Sequence, residues 1–588
     1  MNILAFDSIY ILYPIRKIYL LIIKIIKIKR KNNTNSLLLY RLDRENVFLN
    51  SKNNISGIKF GFNNDHINLM SIKLYKFLES RDFTSHLLIN NTSLYKIQTR
   101  QINLKLIGAL KCVYRIIKYS EKDNKKIILI SDTQTIALIK EIFLFLNYQN
   151  KNINFLSNIF LTISVSINSI LLRGISILRM YLFASKIPDC YYHKSENENL
   201  PTLVLMGPKK KPEVYYSTYV SNFNTFNIIL YNLGDSNFLP KTYKRIKVKR
   251  KIYRIKGLFN LKNMFFTAGS YISDILIINK NHIDLNLSFA IVDTILQSKI
   301  DAIISNKQTL VLDNYLALEG RKKRIFVLAD IMEEVYFCNE ALISTKIDLK
   351  RTINLALDKR GSIHFKGINS LIKYRINETD ANDDNYLHNL LNLDFDKKIF
   401  FFASDPLKEE TQRYLTEKFL IDYFSKKKDY ILCIKTHHQD NGNITNSAYV
   451  NSMKPPNVIL IGDLAQKKNF KSNNFLFYKQ FNFNAAIKSS NGFLTSSSTS
   501  IFQALALDVK SGIIDLFKNQ YFLDLSKFQE VNLIENEKAL DQFLKIEKII
   551  LSDKFLKYLG LNYKNNELFN FEEYVFKCLR KFNSIHKK

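Results

Sequence analysis

The chain has 588 residues, 46% apolar and 13% aromatic, which is enough to build a large core and excludes a globally disordered polymer. Its 86 basic and 53 acidic residues give a net charge of +33, but the basic residues are spread along the chain rather than gathered on a nucleic-acid-binding motif, so a nucleic-acid partner is not expected. Abundant Lys, Asn and Ile beside 16 Gly, 9 Pro and no Trp is also what AT-rich coding produces without any polyanionic partner.

At about 100–200 residues per domain, the length suits three domains or two large ones. Five cysteines (Cys112, Cys190, Cys338, Cys433 and Cys578) stand far apart, with no C-x-x-C pair. That spacing argues against a zinc site or a disulfide framework, and for a reducing compartment.

From the amino terminus, residues 9–31 alternate apolar runs with Lys17, Lys24, Lys27 and Lys31, whose spacings of seven, three and four put them on one helical face. Such a helix either lies in the headgroup region of an anionic bilayer or packs on the protein's own core. It does not read as a signal peptide, because the basic cluster follows the apolar part and no small-residue cleavage site is present. Residues 155–172 form an uncharged run that reaches the length of a membrane span. Asn158, Ser164, Ser166, Asn168 and Ser169 lower its hydrophobicity, so a buried or membrane-touching helical hairpin is expected over 153–185.

Short β-branched runs at 57–62, 126–131, 202–206, 227–231, 302–305 and 324–328 alternate with helical stretches. Continuous apolar strands separated by helices predict a buried parallel sheet. A polar, acidic stretch at 377–384 reads as a linker. Beyond it come a strand at 397–403 ending in Ser404-Asp405, a helix over 407–427, and a strand at 430–434 ending in Lys435-Thr436-His437-His438. A third strand follows at 457–461. A helix over 484–489, a strand at 492–494, the run Thr495 to Ser500, a helix over 501–507 and a strand at 511–515 complete a doubly wound series. The expected organisation is a basic amphipathic helix (1–35), an N-terminal Rossmann-like acceptor lobe (36–385) and a C-terminal Rossmann-like donor lobe (386–588).

In an open parallel sheet, ligands sit beyond the carboxyl ends of the strands. Three polar clusters occupy such ends: Ser404-Asp405, Lys435 to His438, and Thr495, Ser496, Ser497, Ser498, Thr499, Ser500. Hydroxyls at a strand-to-helix turn cap the helix or donate to phosphate oxygens. Six in a row beside a second, basic strand end point to phosphate. Lys435 and His437 supply charge or hydrogen bonds to a leaving nucleoside phosphate.

The texts IKTHHQ at 434–439 and GFLTSSSTSIFQALALDVKSGIID at 492–515 resemble the C-terminal lobe of GT-B glycosyltransferases of the bacterial capsule and lipopolysaccharide type, including sialyltransferase-like and Kdo-transferase-like enzymes. The resemblance covers about 120 residues. It implies an α/β protein of two Rossmann-like lobes, with donor binding mainly by the C-terminal lobe and catalysis in the cleft; the segments at 9–31 and 153–185 add the helical, membrane-associated elements expected from their own residue pattern. It further implies transfer of a sugar from a CMP- or UDP-linked donor to a glycan or lipid-linked acceptor, inverting, without metal or other cofactor. The place of action would be the cytoplasm, peripherally on the inner face of the bacterial plasma membrane. Donor contacts would fall to Ser404, Lys435, His437, Thr495 through Thr499, and Gln503.

The chain departs from that pattern at several points. His438 replaces a common Pro, Gln503 a common Glu, and Asp508-Val509-Lys510 a Gly-Lys-Pro turn. The acidic-acidic-Gly tripeptide of the sialyltransferase-like families is absent. An inverting transfer also needs a base for the acceptor hydroxyl. Asp330, after the strand IFVLA, and Glu319, in LEG, are the candidates for it, with Glu333 and Glu334 read as solvated charges. Two other functions remain open: a CDP-polyol phosphotransferase of the teichoic-acid type, and a non-catalytic GT-B-like partner in surface-polysaccharide assembly.

Overall fold

The computed structural model describes residues 2–6, 37–41, most of 64–175, 190–194, 200–206, 226–231, 242–248, 282–305, 311–330, 337–343, 362–365, 384–404, 410–436, 442–462, 475–477, 482–518, most of 525–559, and 571–586, with a few single positions between them. The expected helix at 9–31, the strand at 57–62, Lys209 to Lys211, Glu333, Glu334, Asp405, His437 and His438 lie outside the described residues, as does the linker apart from its last position.

Three main sheets organise the chain. The first has four parallel strands in the order β2-β1-β5-β6: β1 (Asn2–Phe6), β2 (Leu37–Arg41), β5 (Ile127–Ser131) and β6 (Ile153–Ser157). A small hairpin of β3 (Leu88–Ile89) and β4 (Thr92–Ser93) interrupts this region, with Asn91 in the left-handed conformation at its turn. The run expected to be helical from 153 therefore begins as a strand. Its parallel pairing with β5 satisfies the backbone of Ile153 to Ser157, and helical residues follow only from Ile159.

The second sheet runs β10-β7-β9-β8-β11-β12-β13-β14. Its parallel part comprises β8 (Thr202–Met206), β9 (Asn227–Tyr231), β11 (Ala302–Ser305), β12 (Phe326–Asp330), β13 (Glu340–Ile343) and β14 (Ser362–Phe365). The edge strands β7 (Cys190–His193) and β10 (Lys244–Ile246) are antiparallel. Successive side chains of a strand point to opposite faces, and both faces of this sheet are covered. Val204, Ile229, Ile303 and Val327 join a core built with the helices Asn64–Ser80, Thr99–Lys122 and Thr133–Phe145. Leu203, Leu205, Ile228, Ile304 and Leu328 pack instead on Val575, Cys578 and Leu579 of the last helix, Phe571–His586. The chain's final element thus closes a layer begun some 370 residues earlier. Its Tyr574 hydroxyl donates to Glu340 Oε2 at 2.8 Å, and Lys581 Nζ lies 3.6 Å from Glu340 Oε1.

The third sheet is entirely parallel, in the order β18-β17-β16-β15-β19-β20-β21. Its strands are β15 (Lys398–Ala403), β16 (Tyr430–Lys435), β17 (Val458–Gly462), β18 (Phe475–Phe477), β19 (Gly492–Thr495), β20 (Ser511–Ile514) and β21 (Val531–Ile534). The run KIFFFA buries both faces: Ile399, Phe401 and Ala403 on one side, Phe400 and Phe402 on the other. That is why it reads as continuously apolar. The second and third sheets are the two Rossmann-like layers expected of this α/β chain. No described helix is long and apolar enough to cross a membrane.

Candidate functional site

In the third sheet the chain crosses outward from β15 to β16, β17 and β18 on one side, then returns to place β19, β20 and β21 on the other. The order therefore reverses between β15 and β19, and a doubly wound sheet binds its ligands in the crevice beyond the carboxyl ends at this point. Ala403 pairs with Thr495 on one side and with Lys435 on the other. Lys435, Ala403 and Thr495 thus stand in one row across three strands, with Lys435 and Thr495 about 10 Å apart at two interstrand spacings.

Thr495 is fully buried, and its hydroxyl fixes the turn that follows. Oγ1 donates to the Ala403 carbonyl at 3.2 Å and accepts from the Ser498 amide at 2.9 Å. Ser500 N then donates to Ser498 Oγ at 3.3 Å, and Ser498 Oγ to Ser500 Oγ at 3.2 Å. The next helix, Ile501–Ala506, is only six residues long. The amides of Ile501, Phe502, Gln503 and Ala504 bond to the carbonyls of Ser498, Thr499 and Ser500. The polar groups this turn presents are consequently hydroxyls rather than those helix amides: Ser497, Ser498 and Ser500 are half-buried and Thr499 is exposed, beside half-buried Gln503, while Ser496 is buried.

Lys435 ends β16 half-buried, its ammonium 4.8 Å above the centroid of the Phe483 ring. Phe483 opens the helix Phe483–Lys488, whose cap Asn482 accepts from the amides of Asn484 and Ala485. The next residue, Thr436, is buried, and both its amide and its hydroxyl donate to the Ile461 carbonyl at 2.9 Å. Ser404 is also buried. Its amide extends the ladder to the Lys435 carbonyl at 2.9 Å, and its hydroxyl donates to Glu417 Oε1 at 2.5 Å.

Glu417 belongs to a buried group that the sequence reading missed. Arg413 Nε donates to the same Oε1 at 2.8 Å, and Arg413 also reaches Thr445 Oγ1 at 3.1 Å. Glu417 Oε2 is buried without a hydrogen-bond partner. These contacts brace the helices Glu410–Ser425 and Asn443–Asn451 behind the ends of β15 and β16. The R-x-x-x-E spacing was visible as a helical pair, but its burial was not.

On the second sheet the two candidate bases are not brought together. Asp330 is the last residue of β12, at the carboxyl edge. Glu319 lies near the end of the helix Val311–Lys322 that leads into the start of β12, at the opposite edge. There Glu319 Oε1 accepts from Thr92 Oγ1 at 2.5 Å and pairs with Lys322 Nζ at 2.6 Å, tying this helix to the β3–β4 hairpin. The order of the parallel strands in this sheet reverses between β8 and β11. Beside that point lie the unpartnered, buried Ser305 Oγ and the Tyr231 hydroxyl, which donates to Asp313 Oδ1 at 3.3 Å. Sequence reasoning placed no function on these three residues. Among the described residues no cluster of His, Cys, Asp and Glu could hold a metal ion.

No family model and no curated protein matches this chain. Among solved structures it is similar to UDP-GlcNAc 2-epimerase from Methanocaldococcus jannaschii, with 12% identity and a TM-score of 0.40 over 65% of this chain and 99% of that one. A UDP-forming α,α-trehalose-phosphate synthase from Burkholderia vietnamiensis gives 9% identity and a TM-score of 0.37, covering 67% of this chain and 98% of the other. The wall teichoic acid polymerase TagF gives 13% identity and 0.36, covering 73% and 98%.

Proposed function

We propose that the chain is a GT-B-type glycosyltransferase that takes a sugar from a CMP- or UDP-linked donor and passes it to a cell-surface polysaccharide or lipid-linked acceptor. It would work in the cytoplasm at the inner face of a bacterial plasma membrane. The observation that carries this reading is the row Lys435–Ala403–Thr495 at the point where the strand order reverses, with a hydroxyl-rich turn built on Thr495. A nucleoside phosphate or diphosphate leaving there would meet one fixed ammonium and several hydroxyl donors. Groups held in place before charge develops lower the barrier to its departure without reorganising. The Phe483 ring lies against Lys435, and Thr495 holds the turn that carries the hydroxyls of Ser497, Ser498 and Thr499, with Gln503 one turn beyond for a donor hydroxyl. Asp330, at the carboxyl edge of β12, is the base this reading favours over Glu319, whose carboxylate is paired at the far edge.

The test is thermal stabilisation of the protein by CMP, CDP, UMP, UDP, GDP, ADP and CDP-glycerol, since a ligand that binds only the folded state raises its stability by mass action. One nucleotide should shift the transition, and Ser497→Ala with Lys435→Ala should remove that shift. A response confined to CDP-glycerol would favour polyol-phosphate transfer. No response to any of them would leave a non-catalytic partner in polysaccharide assembly.

A further inference from the structure

We propose that Ser404 is a specificity residue of the donor site, set to accept a hydrogen bond from a hydroxyl of the nucleotide donor rather than to donate one to its phosphate, and that Glu417 is the residue that sets it. The role rests on the chain's use of a nucleotide donor.

The two faces of the third sheet differ at its switch point. Lys435 and Thr495 flank Ala403 in one row. Ala403 belongs to the core on one face, with Phe401, Cys433 and Phe493. Side chains in register on neighbouring parallel strands share a face, so Lys435 and Thr495 lie on that side, and the Phe483 ring beneath the Lys435 ammonium packs on the same core. One residue further, the backbone ladder continues from the Ser404 amide to the Lys435 carbonyl and from the Thr436 amide to the Ile461 carbonyl, both at 2.9 Å. Successive side chains alternate, so Ser404 and Thr436 turn to the other face, where Phe402 and Ile434 precede them by two residues. Both are buried.

The protons of these two hydroxyls are already committed. Thr436 Oγ1 donates to the Ile461 carbonyl at 2.9 Å, and Ser404 Oγ donates to Glu417 Oε1 at 2.5 Å. A carbonyl and an ion-paired carboxylate only accept, so neither bond can run the other way. A phosphate oxygen also only accepts. Ser404 can therefore meet a donor molecule through its oxygen lone pairs alone, and no described residue donates to them. The hydroxyls of the ribose and of the transferred sugar are groups that can.

This role also accounts for the ion pair behind Ser404. The Arg413 and Glu417 side chains are 5% and 1% exposed. Apolar residues of the same volume would serve stability as well or better. What an apolar pair could not do is hold the Ser404 proton.

The test is titration calorimetry on the full-length protein with UDP, CMP, their dideoxy counterparts lacking both ribose hydroxyls, UDP-N-acetylglucosamine and pyrophosphate. The parent should bind UDP or CMP about tenfold more tightly than the matching dideoxy nucleotide, the worth of one hydrogen bond. Ser404→Ala should abolish that preference and leave pyrophosphate binding unchanged, and Ser404→Thr should retain it. Arg413→Met/Glu417→Leu should reduce the preference as Ser404→Ala does, which a loss of stability alone would not. If the transferred sugar is the partner instead of the ribose, Ser404→Ala will weaken UDP-N-acetylglucosamine and spare UDP. A Ser404→Ala protein that loses pyrophosphate as much as UDP would show that the serine donates to phosphate, and would overturn the proposal. So would a parent that binds UDP, its dideoxy counterpart and UDP-N-acetylglucosamine equally, whatever the variants do. A preference lost in Ser404→Ala but kept in Arg413→Met/Glu417→Leu would overturn the part given to Glu417. A parent that binds no nucleotide at all would overturn the donor reading itself, which is a different result from a nucleotide bound without regard to its hydroxyls.

Discussion

The Ser404 hydroxyl donates to Glu417 Oε1 at 2.5 Å, and the same oxygen receives Arg413 Nε at 2.8 Å. The strand-end serine is thus tied to a buried ion pair rather than offered to solvent. Such a pair gains little over an apolar replacement of both partners, but removing one partner leaves an uncompensated charge in a dry environment. Arg413→Met should destabilise the protein by about 3–5 kcal/mol. Arg413→Met/Glu417→Leu should lose less than the sum of the two single changes. Urea unfolding of the four proteins measures the difference, and strict additivity would show that the two side chains do not act as a pair.

Thr495 makes two hydrogen bonds with one hydroxyl, to the Ala403 carbonyl and from the Ser498 amide. Thr495→Val keeps the shape and removes both, so a fully buried position loses about 1–3 kcal/mol. Because the turn carrying Ser497 and Thr499 hangs on this residue, any nucleotide-dependent thermal shift should weaken as well. Ser497→Ala should abolish that shift while leaving the transition of the ligand-free protein where it was. A Thr495→Val protein of unchanged stability would show that the turn holds itself.

Gly492 opens β19 where a side chain has no room. A Cβ there would stand 2.9 Å from Phe400 Cε1 and 3.0 Å from Lys510 Cε. Phe400 is fully buried and cannot swing aside without disturbing the core on its face of the sheet. Gly492→Ala should therefore cost about 1–3 kcal/mol, the usual penalty of overpacking. A thermal transition unchanged from the parent protein would contradict the crowding.

What the sequence revealed follows from burial. Central strands covered on both faces, such as Phe400 to Ala403 and Val458 to Ile461, are unbroken apolar runs and were read to within a residue or two. The edge strands β18 and β21 were not read. In β21 half-buried Asn532 and exposed Leu533 stand between the buried Val531 and Ile534, and the Asn breaks the apolar run. The strand expected at 324 begins at Phe326 because Arg324 adopts a left-handed φ of 57° in the turn that closes the preceding helix, and the Ile325 amide returns to the Gly320 carbonyl at 2.8 Å. At the candidate site, the strand-end polar clusters were visible from residue type. The Arg413–Glu417 brace was not, because charge patterning on a helix says nothing about which side is covered. The departure from a Gly at 508 has a structural counterpart: Asp508 sits at φ 58°, a conformation that favours glycine. Asp508→Gly should be tolerated or mildly stabilising, by less than about 1 kcal/mol, as read in urea unfolding.

Lys510, at the Pro position of that turn, points inward. Its ammonium donates to the carbonyls of Phe543 and Leu544 at 3.3 and 3.2 Å, and to that of Ile546, at the end of the helix Glu537–Lys545. It also lies 5.0 Å from the Phe400 ring centroid and 5.2 Å from that of Phe543. The carbonyls favour the charge but burial opposes it, and burial prevails, lowering the ammonium from 10.5 to about 8. Between those values the unfolded chain holds a proton that the folded chain has lost. Stability from this group must therefore rise as pH rises from about 8 towards 10.5. Many tyrosines also titrate at high pH, so the measurement is differential: urea unfolding of the parent and of Lys510→Met, compared across this range. The parent should gain stability relative to the variant as pH rises. A parent that instead loses ground would show that the helix-end carbonyls outweigh desolvation and that the lysine stays charged in the folded protein.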